Sequence, residues 1–218
     1  MARNNVLRWT DGRGWLILSG GGDNLSDIRA NALSRASADG GIAYVTLGSQ
    51  SIEAENVLAD MEDLGAPSGY FVDILSEDDE TIQARLADAG IVVIDGSASL
   101  DDLRSSLIGA ANDGIQTAFQ NGAVVLVEGR AAVVFGAWIL LELGELASGL
   151  EWLEHSLIIP GITSVSQSGE VQDVLLLQPG AIAVGIGEGS ALALGPDGEV
   201  ETWGEGQVTI ALGKDYVP

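Results

Sequence analysis

The stretch Ala123-Val124-Val125-Leu126-Val127-Glu128-Gly129-Arg130-Ala131-Ala132 decides how the chain folds. Its first five residues are apolar and mostly β-branched, with no alternation, which describes a strand covered on both faces. Glu128-Gly129 breaks the run abruptly, and the apolar residues resume at once. Ala131 to Leu143 then reads as a buried helix. A covered strand feeding a helix through a two-residue turn belongs to a parallel sheet with helices packed on it.

The sequence upstream repeats that unit. Trp15-Leu16-Ile17-Leu18 runs into Gly20-Gly21-Gly22, and Leu25, Ile28, Ala32, Leu33 and Ala36 follow at helical spacing. Ile42 to Leu47 is a second strand, with a turn at Leu47-Gly48-Ser49. Val57, Leu58, Met61 and Leu64 mark a helix closed by Gly65. Tyr70 to Ile74 and Ile91 to Ile94 are strands around a helix near Thr81 to Ala87. Leu100, Leu103, Leu107 and Ile108 give another helix, continued or broken near Gly109. Downstream, Ala181 to Ile186, Ala191 to Leu194, Glu199 to Trp203 and Gln207 to Leu212 are short strands. Gly195-Pro196-Asp197-Gly198 joins two of them as a hairpin. The expected architecture is α/β: a doubly wound, mostly parallel sheet with helices on both faces and a β-rich C-terminal part. Residues 1–13 form an N-terminal extension and 14–218 a single domain.

Composition removes whole classes of function. The chain has no cysteine and one histidine, His155, among 218 residues. Thiol nucleophiles, disulfides, Cys-ligated zinc and His-rich metal sites are excluded, and no metal site is expected. Nine cationic residues face 32 carboxylates, a formal net charge of −23 that repels phosphate backbones and anionic membranes. Lys214 is the only lysine. Such a surface suits a high-salt cytoplasm, and a GC-rich genome would also favour Arg over Lys. The apolar run from Ala131 stops at Glu142, too short to span a bilayer. The first residues show no secretory apolar segment, so the expected location is the cytoplasm.

Other motifs have ordinary readings. Gly20-Gly21-Gly22 lies between strand and helix, where amides cradle anions, yet it lacks GxGxxG spacing and no GxxxxGK[ST] occurs. It reads as a tight turn or a cleft wall, and no cofactor is expected. Glu77-Asp78-Asp79-Glu80 and Asp101-Asp102 read as helix starts, where carboxylates are favoured. His155 reads as a residue at the end of an element beside Glu151 or Glu154.

The turn at Glu128-Gly129-Arg130 has the setting of a nucleophile elbow, in which a serine sits on a strained strand-to-helix turn beside oxyanion-binding amides. The order of local strings resembles the cyanophycinase and dipeptidase E family of serine peptidases, from about Gly14 to Gly213. Leu18-Ser19-Gly20-Gly21-Gly22 is similar to the family's first strand and glycine loop. Ile42 to Thr46 resembles its second strand, and Ile94-Asp95-Gly96-Ser97-Ala98-Ser99 its Gly-Gly-Asp/Asn-Gln segment. Gly185-Ile186-Gly187-Glu188-Gly189-Ser190-Ala191-Leu192 resembles its Gly-Ile-Asp-Glu-x-Thr-Ala-Leu run. The resemblance implies a class I glutamine-amidotransferase-like fold, with an oxyanion amide from the segment at Gly96.

The resemblance does not supply the chemistry. Arg130 stands where the family carries its serine, and a shift of one residue places Gly129 or Ala131 there instead. The family's histidine should fall near Ile159 to Thr163, where this chain has Ile159-Pro160-Gly161-Ile162-Thr163. With nucleophile and base both absent, the expectation is a catalytically silent binding or scaffold protein. Its partners would be a small anionic or peptide ligand and a second copy of the chain, with no nucleic acid and no membrane. Arg130 at a helix start meets the positive end of the dipole, a cost of about 0.3–1 kcal/mol. Either Glu128 pairs with it and plugs the cleft, or Arg130 holds a carboxylate with amides of Gly21, Gly96 and Ser97 helping. The pocket residues are then Gly21, Gly22, Gly96, Ser97, Glu128, Gly129, Arg130 and Glu188. The alternatives are a serine-type peptidase using displaced Ser97 or Ser99 with His155, and a carboxylate-only hydrolase built on Asp95, Glu128 and Glu188.

Overall fold

The computed structural model describes residues 6–36, 40–48, 52–141 and 145–217. Strands β1 (Trp15–Ser19), β2 (Ile42–Thr46), β3 (Gly69–Asp73), β4 (Ile91–Ile94) and β5 (Val124–Val127) alternate with helices α1 (Ser26–Arg35), α2 (Ile52–Asp63), α3 (Asp79–Ala87), α4 (Leu100–Leu107) and α5 (Ala110–Gln120). The five strands are parallel, in spatial order β1-β5-β4-β2-β3. Every residue of β1, β2, β4 and β5 is buried, which is why these segments read as unbroken apolar runs. Trp15 and Ile17 face α1 and α2 through Ile28, Ala32, Leu58 and Met61. Leu16 and Leu18 face the opposite layer, with Leu86, Leu103, Ile115 and Phe119 from α3, α4 and α5.

Helix boundaries follow the local chemistry. The Asp78 carboxylate accepts from the Thr81 amide at the start of α3, and Ser99 accepts from the Asp102 amide at the start of α4, so both acidic runs are helix starts. Gly109, at φ +92°, ends the ambiguity by breaking α4 from α5. Ser49, in the expected turn after β2, lies outside the described residues.

The C-terminal part contributes to two sheets. Strands β6 (Gly136–Leu140), β7 (Leu146–Ser148), β8 (Leu153–Pro160), β9 (Ile182–Ile186), β10 (Ser190–Leu194), β11 (Val200–Gly204) and β12 (Val208–Leu212) follow, with α6 (Gly169–Leu177) between β8 and β9. β10 lies antiparallel to β1 and carries β11 on its outer edge, completing a seven-stranded sheet. The turn joining them is the expected Gly195–Gly198 hairpin. A second sheet of five strands has the order β12-β9-β8-β6-β7. One of its faces, with Ile139, Leu153, Ile158 and Val184, shares the core of α3 to α5. The other packs Leu157 and Ala183 under Val171 and Val174 of α6. The expected mostly parallel, doubly wound α/β core is present, and the β-rich part supplies a hairpin and most of another sheet.

One expected element is different. Ala131 to Leu143 is no helix: a 3₁₀ segment covers Gly129–Phe135, and the chain then extends as β6. Glu142 and Leu143 lie outside the described residues. Gly136 explains the switch. A Cβ there would lie 2.9 Å from the Ser156 carbonyl oxygen, so only glycine lets β6 lie this close to β8. The N-terminal segment is fastened to the domain: Leu7 is buried, and the Thr10 amide donates to the Trp152 carbonyl at 2.8 Å. Among the described residues, no helix is long and apolar enough to cross a membrane.

Candidate functional site

The C-terminal ends of the parallel strands meet at the turn after β5, the place where open α/β sheets gather ligand-binding groups. Glu128 is still extended, at φ −105° and ψ 133°, and Gly129 then takes φ +59°. A side chain at that backbone angle would cost roughly 1–2 kcal/mol, so the strained position of the elbow is held by the one residue that adopts it freely. Arg130 follows and is exposed. The 3₁₀ segment that begins here stands in place of the expected α-helix.

Neighbouring loops close on this turn through glycine. A Cβ on Gly96 would lie 2.7 Å from the Arg130 amide nitrogen and 3.2 Å from that of Ala131. A Cβ on Gly21 would lie 3.1 Å from the Gly129 Cα. The Gly189 amide donates to the Gly21 carbonyl at 2.8 Å, which brings Glu188 beside Gly22. Gly21, Gly96, Gly129 and Arg130 therefore surround one point, with Gly22 and Glu188 on its rim. The glycine loop itself is occupied. Its Gly20 amide donates to the Ser190 carbonyl at 2.9 Å and its Gly21 amide to the Ser19 hydroxyl at 3.1 Å.

Glu128 points away from Arg130, correcting the expected ion pair between them. Its oxygens accept Nε and Nη2 of Arg29 at 2.9 and 2.8 Å, a two-pronged bond from α1 across 99 residues of sequence. Arg29 Nη1 also donates to Asp60 at 2.8 Å, and Ser26 donates to the other Asp60 oxygen. Burial alone would lower the pKa of the Arg29 guanidinium. The bonds and charges of Glu128 and Asp60 together outweigh it, and the net shift is upward.

The groups considered for catalysis are otherwise engaged or remote. The Tyr44 hydroxyl donates to Asp95, and burial followed by that bond holds the tyrosine well above its ordinary pKa. Asp95 also accepts the Ser97 amide at 3.0 Å and the Ser97 hydroxyl at 2.6 Å. Ser99 serves as the cap of α4. Of the three carboxylates considered together, Asp95 is bonded to Tyr44 and Ser97 and Glu128 to Arg29, and none of the three lines the cleft above the elbow. His155 is exposed at φ +53° in β8, where the pairing with β6 is irregular. It precedes Pro160 by five residues, roughly 16 Å of strand at ~3.3 Å per residue. Pro160 is the end that approaches the elbow, so His155 lies far from Gly129 and Arg130.

A cleft of about 370 Å³ opens above the elbow. Gly20 lines it, Leu100, Val133, Leu140, Ile159 and Pro160 supply apolar surface, and Arg130 and Glu170 bring the two charges. Sequence reasoning placed Arg130 here but missed the apolar lining from Leu100, Val133 and Leu140, and Glu170 as well. Only Glu170 carried a signal, a Ser168 cap ahead of Val171 and Val174 at helical spacing. A larger groove of about 1010 Å³ runs between residues 7–12 and the Gly195–Glu199 turn, at the opposite end of β1. It contains none of the converging residues. Among the described residues, no group of His, Asp or Glu side chains is placed to hold a metal ion.

The fold is that of peptidase-like α/β proteins. It is similar to a crystal structure of a peptidase from an acI-B1 Actinobacterium, with a TM-score of 0.75 and 19% identity over 93% of each chain. It is also similar to a protein provisionally named peptidase E from Listeria monocytogenes EGD-e, with a TM-score of 0.65 and 16% identity over 88% of this chain and 98% of that one. No protein-family model and no curated protein sequence matches the chain. At these identities the likeness is one of fold.

Proposed function

We propose that the chain is a non-catalytic binding protein built on a peptidase E-like fold, whose cleft takes a small anionic or peptide ligand by a carboxylate on Arg130. The observation carrying this reading is the occupancy of the cleft. Gly129-Arg130 fills the turn where such a fold would present an attacking hydroxyl, and Ile159-Pro160 lines the facing wall where an imidazole would be needed. Neither pair can attack a carbonyl or carry a proton between partners.

Among the described residues, Arg130, like Arg8 and Lys214, is a cation the protein leaves unpaired, and of these three it alone lines the cleft above the elbow. Arg29, Arg35 and Arg85 are paired with carboxylates, and Arg13 and Arg104 donate to backbone carbonyls. Among the described residues the Arg130 side chain has no hydrogen bond or ion pair, though the chain is strongly acidic. An unpaired guanidinium at a partly apolar cleft is suited to a two-pronged bond with a ligand carboxylate.

A fluorophosphonate probe and a thermal-shift screen of short peptides test the proposal together. The probe should leave the protein unlabelled, and a binding peptide should raise the melting temperature of the wild type and not of Arg130→Met. Stoichiometric labelling removed by Ser97→Ala, Ser99→Ala or His155→Ala would establish the peptidase reading instead. An equal thermal shift in Arg130→Met would remove the arginine from the site.

A further inference from the structure

Glu170 makes the cleft bipolar. It lies in the first turn of α6, where Ser168 already caps the Val171 amide, and its exposed side chain lines the cleft that also contains Arg130. The two charges are not ion-paired with each other. Among the described residues the Glu170 side chain, like that of Arg130, has no partner in the protein. From this we infer that the ligand is a small zwitterion with an apolar body, an apolar amino acid or a dipeptide of such residues. Its carboxylate would sit on Arg130 and its free ammonium on Glu170. The inference rests on the binding reading above and narrows it.

Three observations favour a zwitterion over a simple anion. A ligand that covers the cleft takes both charges out of water, and a charge buried without a counter-charge is costly, so a ligand matching only Arg130 leaves Glu170 uncompensated. A net anion must also approach a chain of net charge −23, whereas a zwitterion of zero net charge is not repelled as a monopole. Finally, Leu100, Val133, Leu140 and Ile159 line the same cleft as the two charges, which rewards an apolar side chain on the ligand. The volume, about 370 Å³, is at the small end of ligand clefts. It has room for one or two residues.

Calorimetric titration with leucyl-leucine, its N-acetyl derivative, its C-terminal amide and free leucine tests this with the intact chain. The dipeptide should bind and be recovered unhydrolysed, and either capped form should bind at least about tenfold more weakly. Glu170→Gln should bind the dipeptide and its acetyl derivative within about threefold of each other. Arg130→Met should weaken the dipeptide and its acetyl derivative alike. Free leucine binding with the same dependence on both side chains supports the zwitterion and assigns the site to amino acids. Full-strength binding of the acetyl derivative to the wild type, with the amide still rejected, overturns the zwitterion and leaves the role of Arg130 standing. Absence of binding by all four compounds overturns both. Both side chains are exposed, and unchanged melting temperatures of the free variants verify that their folds are intact.

Discussion

Replacing Arg29 with methionine removes the cation from the pair that ties α1 to the residue before the elbow. The Glu128 side chain is 7% exposed and that of Arg29 13%, so water cannot easily take the place of the two bonds at 2.9 and 2.8 Å. Asp60 is 29% exposed and can rehydrate, so the loss falls mainly on Glu128. A buried charge deprived of its partner typically costs about 3–5 kcal/mol. In a chain of this size about 3 kcal/mol would lower the melting temperature by roughly 6–12 °C. The cost arises from an orphaned carboxylate, so removing that carboxylate as well should repair it. The double variant Arg29→Met/Glu128→Met should recover at least about 2 kcal/mol relative to Arg29→Met alone, a coupling that urea unfolding of the four-member cycle measures. Additive effects, or a single Arg29→Met variant within about 1 kcal/mol of wild type, would refute the reasoning.

Other variants probe the remaining contacts. Gly96→Ala should destabilise the protein more than Gly129→Ala, because its Cβ would press on the Arg130 backbone at 2.7 Å, whereas Gly129→Ala meets Gly21 Cα at an ordinary 3.7 Å and is left with backbone strain of about 1–2 kcal/mol; chemical denaturation ranks them. Tyr44→Phe deletes a buried hydroxyl bonded to a carboxylate, and should cost about 1.5–3 kcal/mol at pH 7. Because the Tyr44 pKa is raised in the fold, its contribution is full below the unfolded value of ~10 and declines at higher pH, so Tyr44→Phe should also lessen alkaline destabilisation in a melting series. The Asp73 and Asp78 carboxyls lie below the usual range. For Asp73, burial pushes upward and is outweighed by bonds from the Ser76 hydroxyl and the Gly48 and Leu75 amides; for Asp78, the Thr81 amide and hydroxyl lower it. Their contribution is present above the unfolded pKa near ~3.9 and lost as pH falls through the folded values, so Asp73→Asn/Asp78→Asn should melt lower at neutral pH and decline less steeply below about pH 4. Raising salt from about 0.01 to about 1 M shrinks the Debye length from ~30 to ~3 Å and should raise the melting temperature of a chain carrying −23, as calorimetry would show.

The parallel core was legible because its strands are short, continuous apolar runs bounded by glycines and capped helices. The segment after the elbow was not. Ala131 to Leu141 contains no charged residue, so nothing distinguishes a period of 3.6 from one of 2, and the deciding contact of Gly136 with Ser156 is tertiary. α6 was missed although Ser168, Val171 and Val174 gave a cap and a helical spacing. The convergence of Gly21, Gly96, Gly129 and Arg130 was legible because each follows the C-terminal end of a parallel strand, β1, β4 or β5. The partner of Glu128 was not, because proximity in sequence suggested Arg130 while the true partner lies 99 residues earlier. Glu170 and the apolar lining of the cleft depend on how the second sheet docks, which local patterning does not specify.

The position of β1 between β5 and β10 has a consequence for biosynthesis. Leu16 pairs with Val125 on one side and with Leu194 on the other, so one edge of this strand stays open until β10 has left the ribosome. At ~5–20 residues per second, the roughly 175 residues between the two strands take about 9–35 s to emerge. During that interval an apolar strand has an unpaired row of amides and carbonyls, the hazard that promotes association between nascent chains. The strong mutual repulsion of an acidic polypeptide protects such an intermediate, and shortening the chain before Ser190 would make the open edge permanent.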